Sequence, residues 1–273
     1  MSHVQRESQS GYDPSFFEHL FAVEDRHFWF AARNRLIEAI ARRFTSSLAP
    51  GYRVLEVGCG TGNILRFLER ACTHGMVMGL DLWAEGLAYA RRRTACPLIQ
   101  ADLRRNPFSA RLQVIGMFDV LEHFPNDVET LQAIREMLSP NGLLILTVPA
   151  GPSLWSYFDE AAKHCRRYSR ADLGSRLAEA GFEVEFLSEF MMSAFPLVWA
   201  GRPLAARSRH KTRSAEDLAF QELRIVPVIN GLMRRLLQAE NCLLARRVRL
   251  PLGTSLIAVA RRSQDHQHGA AAG

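Results

Sequence analysis

The sequence predicts an α/β protein built on a doubly wound, mostly parallel sheet. Three observations carry that prediction. Short apolar runs rich in β-branched residues alternate with segments of helical periodicity along most of the chain. The first run, residues 53–57, breaks into Gly58-Cys59-Gly60-Thr61-Gly62-Asn63, and apolar residues at helical spacing follow it (Ile64, Leu65, Phe67, Leu68). The next run ends on an acid, Asp81. Strand, glycine turn and helix together open a βαβ nucleotide-binding unit. Glycine is required there because the backbone must turn tightly and approach a ligand closely.

The glycines fall at 58, 60 and 62, and Asn63 stands where the dinucleotide fingerprint places its last glycine. Glu56 sits inside the strand, where a carboxylate needs a partner. Asp81 lies about 20 residues beyond the turn, the position from which an acid holds a ribose diol. Residues 97–103 form a third strand that runs into Asp102-Leu103. Residues 112–118 form a fourth, closing on Phe118-Asp119-Val120-Leu121-Glu122-His123. A helix over 127–138 stops at Ser139-Pro140-Asn141-Gly142, and residues 143–149 make a fifth strand. A helix over 170–180 ends at Gly181 and leads to a sixth strand at 182–187. Residues 188–250 interrupt the alternation with an apolar run (190–200), a basic stretch (202–213) and a helical pattern (226–244). Residues 254–260 then read as a seventh strand.

Glu56-Val57-Gly58-Cys59-Gly60-Thr61-Gly62 resembles the first motif of the class I S-adenosylmethionine (SAM) dependent methyltransferases. The later motifs follow in register to residue 149, and the match is to the small-molecule branch. The resemblance implies a Rossmann-like seven-stranded sheet whose last strand is antiparallel. SAM is the implied cofactor and S-adenosylhomocysteine the product. Glu56, Gly58, Cys59, Gly60 and Gly62 are the implied cradle of the cofactor, with Asp81 and Leu82 at the ribose. Asp102 is placed at the adenine amine with Leu103 on the ring, and Phe118, Asp119 and Val120 at the edge of strand four. The implied organisation is an N-terminal helical lid (1–45), a core (46–187), a helical insertion or cap (188–250), the final core strand (251–262) and a disordered tail (263–273). Residues 14–44 read as helix, with the first 14 residues mobile. In the lid, Trp29 walls the pocket, and His27 or Arg33 offers polar contacts. An NAD(P)-dependent oxidoreductase on a similar sheet and a non-catalytic SAM-binding module are the alternatives.

The chain has 273 residues, 34 Lys and Arg against 28 Asp and Glu, and a net charge of +6. That excess is compatible with an anionic partner without specifying one, and the recognition patterns of nucleic-acid binding are absent, so none is expected. Five scattered cysteines without a CxxC pair read as free thiols in a reducing compartment with no zinc site, and no metal is expected. The polar N-terminus lacks the apolar core of a signal peptide, so a cytoplasmic setting is expected. The 188–250 segment offers either a peripheral contact with the inner membrane face or a cap and homodimer surface.

Methyl transfer from a sulfonium needs alignment above all, and a base only where the acceptor arrives protonated. The chain lacks the Asn/Asp-Pro-Pro-Tyr sequence of amine methylation, the paired lysines of ribose methylation and the Pro-Cys of cytosine C5 methylation. What remains is a hydroxyl or carbon of a small, anionic or lipid-linked metabolite. Two histidines are candidate bases. His123 lies just beyond strand four, and His164 in the loop after strand five resembles one in quinone-precursor O-methyltransferases. Arg167 and Tyr168, beside Arg166, are candidate contacts for an anionic acceptor.

Overall fold

A computed structural model describes residues 16–208 and 215–263. The expected mobile N-terminus and disordered tail lie outside these residues almost entirely, as do positions 209–213 of the basic stretch. Helices α1 (Phe16–Val23) and α2 (Phe28–Thr45) precede β1 (Arg53–Val57), α3 (Leu65–Ala71), β2 (Met76–Asp81), α4 (Ala84–Ala90) and β3 (Leu98–Gln100). Then come β4 (Leu112–Phe118), α5 (Asp127–Met137), β5 (Leu138–Pro149), α6 (Tyr157–Ala161), α7 (Arg170–Glu179) and β6 (Phe182–Phe190). Helices α8 (Phe195–Ser208), α9 (Ala215–Glu222) and α10 (Pro227–Ala245) lead to β7 (Ser255–Arg262).

The seven strands form one sheet in the order β3-β2-β1-β4-β5-β7-β6. The pairs from β3 through β5 are parallel, and β7 lies antiparallel between β5 and β6. Period-two alternation divides the strand side chains between two apolar layers. Val54, Val114 and Ile145 pack with Leu36 and Ile40 of α2, Leu68 of α3 and Leu237 of α10. Leu55, Ile115 and Leu144 pack on the other face with Leu131 and Ile134 of α5 and Leu173 and Leu177 of α7. Because both faces are covered, β5 is buried and apolar from Leu143 to Leu146, and its one polar residue before Val148, Thr147, is buried as well.

Several boundaries differ from those expected. The single helix expected over 14–44 is broken at Glu24–His27, because these residues turn toward the glycine loop. Glu24 accepts from the Thr61 hydroxyl at 2.6 Å and from Arg93 at 2.5 Å, and Asp25 accepts from Asn63 at 2.9 Å. His27 then caps α2 through Trp29 N–H at 3.3 Å. Strand β3 is shorter than expected, since Asp102 caps a 3₁₀ turn over Leu103–Arg105. Strand β5 starts earlier, at Leu138, with an irregular register against β4 and Asn141 at φ 61°. Strand β6 runs on to Phe190 because it keeps pairing with β7 as far as Ser255.

Helix α10 is bound to the N-terminal helical segment. Asn230 of α10 accepts from Phe28 N–H at 2.7 Å and donates to Arg26 O at 3.0 Å, and Asn241 donates to Ala32 O at 2.8 Å. Among the described residues, no helix is long and apolar enough to cross a membrane. The five cysteines are free thiols.

Candidate active site

The strand order reverses between β1 and β4, and in doubly wound sheets ligands bind at the carboxyl edge of that switch point. A cavity of about 680 Å³ opens there, within the usual range of ligand pockets. Its floor is the glycine loop and the ends of β1, β2 and β4, and its roof is formed by α1, α2, α8 and α9.

On the β1 side, Glu56 is 2% exposed and lines the cavity, and its Oε2 has no hydrogen-bond partner among the described residues. Burial raises its carboxyl well above the ordinary range, opposed in part by the charge of Arg33. Gly58 has φ +67°, and a Cβ there would lie 2.6 Å from Val120 Cγ2. Gly60 has φ +49° and a side open apart from Phe17, so its backbone is accessible to a ligand. Gly62 is placed elsewhere: a Cβ on it would stand 3.0 Å from Ala90 Cα, so it serves the packing of α4 and does not line the cavity. Cys59 lines the cavity with its thiol pushed up by burial.

Asp81 accepts from Gly60 N–H at 2.7 Å and Trp83 N–H at 2.9 Å. Burial raises its pKa, and these amides act against the rise. Leu82, Asp102 and Leu103 line the same end. Asp102 is engaged with its own turn, accepting from Arg104 Nη2 at 2.7 Å and Arg104 N–H at 3.0 Å, and it is held below the usual range chiefly by the Arg104 side chain. Phe118, Asp119 and Val120 reach the cavity from β4. Asp119 adopts φ 55°, stabilised by the Thr147 hydroxyl at 3.0 Å and by an ion pair with Arg33.

These features fit SAM. A buried carboxylate oxygen without a partner suits a donor-rich ligand, the exposed backbone at Gly60 allows close approach, and the acids at the ends of β2 and β3 suit a nucleoside.

From the lid, Trp29 and Arg33 line the cavity, with the Arg33 guanidinium 4.8 Å from the centre of the Trp29 ring. Arg33 is thus engaged by Asp119 and Trp29. The far wall comes from the insertion, where Leu197 and Val198 of α8 supply apolar surface. Tyr157 of α6 donates to Glu222 of α9 at 2.6 Å.

His123 and His164 meet at this far end, with ring centres 4.9 Å apart and planes near perpendicular. Cys165 N–H donates to Glu122 O at 2.7 Å, which joins the loop after α6 to the 3₁₀ turn after β4. His164 Nδ1 lies 2.9 Å from Asp159 Oδ1. Burial raises the Asp159 pKa, but the hydrogen bond from His164 and the charge of Arg167 outweigh it and hold the group ionised. An ionised carboxylate only accepts, so Nδ1 carries a proton and donates it to Asp159, and in the neutral ring the lone pair is on Nε2. His123 is kept neutral by burial and by the neighbouring His164, with its pKa lowered to about 3.

Of the remaining expected contacts, Arg167 lines the cavity but is paired with Asp159 at 2.7 Å and with Ala150 O at 3.0 Å. Tyr168 is fully buried, outside the cavity wall, and donates to Asp127 at 2.9 Å. Arg166 is drawn to the same carboxylate, also at 2.9 Å. Reading the sequence missed Glu122 and Asp159. A Ser156-to-Asp159 capping box marks Asp159 as a fixed position, and that signal was legible.

A family model described as a methyltransferase domain matches residues 26–186, more than half of the chain. The chain is 30% identical over 194 residues to a malonyl-[acyl-carrier protein] O-methyltransferase of Enterobacter lignolyticus, covering 67% of this chain and 73% of the relative. It is also 30% identical over 130 residues to a trans-aconitate 2-methyltransferase of an Azoarcus species, covering 46% of this chain and 48% of that one. Among solved structures, the plantazolicin methyltransferase BamL, in complex with S-adenosylhomocysteine, has a TM-score of 0.57 at 13% identity, over 90% of each chain. Likeness at that identity shows the fold. The family match displaces the NAD(P)-dependent and non-catalytic alternatives. The chain belongs to the methyltransferase domain family and is a class I enzyme that uses SAM as its methyl donor.

Proposed function

We propose that this enzyme methylates a hydroxyl oxygen of a small metabolite that carries an apolar part. The observation that carries this reading is the 2.9 Å contact between His164 Nδ1 and Asp159, with the His164 ring in the cavity wall. SAM supplies a methyl group bound to a positively charged sulfur. The chain's own residues bind and align: Glu56, the backbone at Gly60, Asp81 and the Asp102-Leu103 pair hold the cofactor end. At the other end, Nε2 of His164 accepts the acceptor's hydroxyl proton, and Asp159 stabilises the imidazolium that results. A carboxylate acceptor needs no such proton transfer. The two nearby guanidinium groups, Arg33 and Arg167, are engaged with Asp119 and Asp159, which favours a neutral hydroxyl over an acid. Phe28, Trp29, Leu197 and Val198 form an apolar wall that accommodates the hydrophobic part.

The relatives named above bear on acceptor chemistry only by analogy, and ubiquinone biosynthesis O-methyltransferase of Actinobacillus pleuropneumoniae, 28% identical over 108 residues, is named for oxygen methylation. The test is transfer of labelled methyl from SAM to a panel of hydroxylated and carboxylated acceptors, with the wild type and His164→Ala. Turnover of hydroxyl acceptors that falls by about 10²–10⁴-fold in the variant is expected, the usual contribution of a positioned acid or base. Turnover confined to carboxylates, at a rate His164→Ala leaves unchanged, would overturn the reading.

A further inference from the structure

We propose that Glu122, His123 and His164 bind one divalent first-row transition-metal ion, of the zinc type, at the acceptor end of the cavity. One ligand atom from each residue lies within 4.8 Å of the others, and His164 Nε2 stands 3.9 Å from Glu122 Oε1. All three residues line the cavity. Ligands about 2.0–2.2 Å from a tetrahedral ion stand roughly 3.4 Å from one another. Closure on an ion therefore takes shifts of about 1 Å.

Three further features point to a metal. First, the two ligand-bearing segments are tied to each other by hydrogen bonds to backbone carbonyls. Cys165 N–H donates to Glu122 O at 2.7 Å, and Arg166 donates to Pro125 O at 2.6 Å. Second, His164 is oriented as metal-bound histidines are. Asp159 takes the Nδ1 proton, Arg167 fixes Asp159 at 2.7 Å, and Nε2 is left as the donor atom. Third, Glu122 is 1% exposed, and its Oε2 has no hydrogen-bond partner among the described residues. The nearby carboxylates Asp119 and Asp159 have Arg33 and Arg167 as ion-pair partners. A buried carboxylate oxygen without a partner is costly, and a dication supplies the missing charge.

Two imidazoles and a carboxylate select zinc, iron or cobalt in preference to magnesium or calcium, which take all-oxygen shells. Three protein ligands leave a coordination position open to the cavity, as in catalytic rather than structural sites. The chemical role of that position rests on the methyl-transfer reading; the binding itself does not. An acceptor hydroxyl there would release its proton to solvent on coordination. His164 would then hold the ion in place of taking the proton itself.

The test uses the full chain stripped with a chelator. Equilibrium dialysis with Zn²⁺ is expected to give one tightly held equivalent, and Co²⁺ to give intense visible bands of a four- or five-coordinate site. Glu122→Gln and His123→Ala are each expected to abolish the Co²⁺ bands, and Asp159→Asn to weaken binding by about 10–100-fold, the usual effect of losing a partner behind a metal-bound histidine. Failure of the wild type to hold metal would overturn the proposal, as would uptake that the variants leave unchanged, since that places the ion elsewhere on the chain. S-adenosylhomocysteine titrated into the same stripped samples separates the two readings. Cofactor binding without metal uptake would sink the metal site and leave the methyltransferase reading standing.

Discussion

The Asn34 side-chain amide of α2 donates to the side-chain oxygen of Asn63 in the glycine loop, and both residues are buried. Asn63 donates in turn to Asp25 at 2.9 Å. The residue that replaces a dinucleotide-type glycine is therefore the link between lid and loop. Asn63→Gly should cost about 1–3 kcal/mol by denaturant unfolding, since it leaves the buried Asn34 amide unpaired. An unchanged unfolding midpoint would show that water or another group satisfies that amide.

Arg93 holds the same junction from below. Its guanidinium meets Glu24 at 2.5 Å, the Thr61 hydroxyl at 2.7 Å and Phe21 O at 3.0 Å, with 4% of its side chain exposed. Removing one partner of a buried pair strands the other charge, so Arg93→Met should lose about 3–5 kcal/mol. Arg93→Met combined with Glu24→Gln should recover a large part of that loss, which a thermal-melt cycle would measure.

Glu56 should trade stability for cofactor affinity. Its raised pKa means that the folded chain keeps a proton which the unfolded chain gives up above about 4.3. Folding is therefore penalised increasingly as pH rises from there through the raised value. Glu56→Gln should stabilise the cofactor-free chain at neutral pH by roughly 1 kcal/mol, flatten this part of its pH–stability curve and weaken S-adenosylhomocysteine binding. A variant that binds the cofactor as the wild type does would remove Glu56 from the site.

Asp81 is positioned by two backbone amides and faces the cavity. Asp81→Ala should weaken S-adenosylhomocysteine binding by about 1.5–3 kcal/mol, the usual value of a hydrogen bond to a charged group. Calorimetry on the folded variant decides, and unchanged affinity would refute the ribose assignment.

Tyr168→Phe addresses the opposite case. Among the described residues the hydroxyl hydrogen-bonds only Asp127, away from the cavity, and Asp127 retains Arg166 at 2.9 Å and Arg176 at 2.6 Å. The variant should lose about 0.5–1.5 kcal/mol of stability and leave the KM for the acceptor unchanged. A raised KM would return Tyr168 to the substrate site.

Much of this chain was legible without coordinates, because the informative signals are local. Apolar runs and helical spacing identify β1 through β7, and the glycine spacing places the turn after β1, since backbone sterics act within a few residues. The acids at 56, 81 and 102 follow from their positions within a strand, at a strand end and just beyond one. Long-range contacts decided the rest. Gly62 reads as part of a ligand cradle, yet the approach of α4 sets its role. Tyr168 reads as a contact for an anionic acceptor, yet it lies in the interior, where its hydroxyl donates to Asp127. The break between α1 and α2 comes from Glu24 and Asp25 finding partners in the glycine loop and at Arg93, which no helical periodicity encodes. Above all, the meeting of Glu122, His123 and His164 comes from the docking of two distant loops, joined by the hydrogen bonds from Cys165 N–H to Glu122 O and from Arg166 to Pro125 O. Sequence determined the sheet and the turn, since these rest on local chain stereochemistry, and the resemblance to the methyltransferase motifs pointed to the cofactor. Tertiary structure alone decided which side chains share the acceptor end, because that depends on how two distant loops dock.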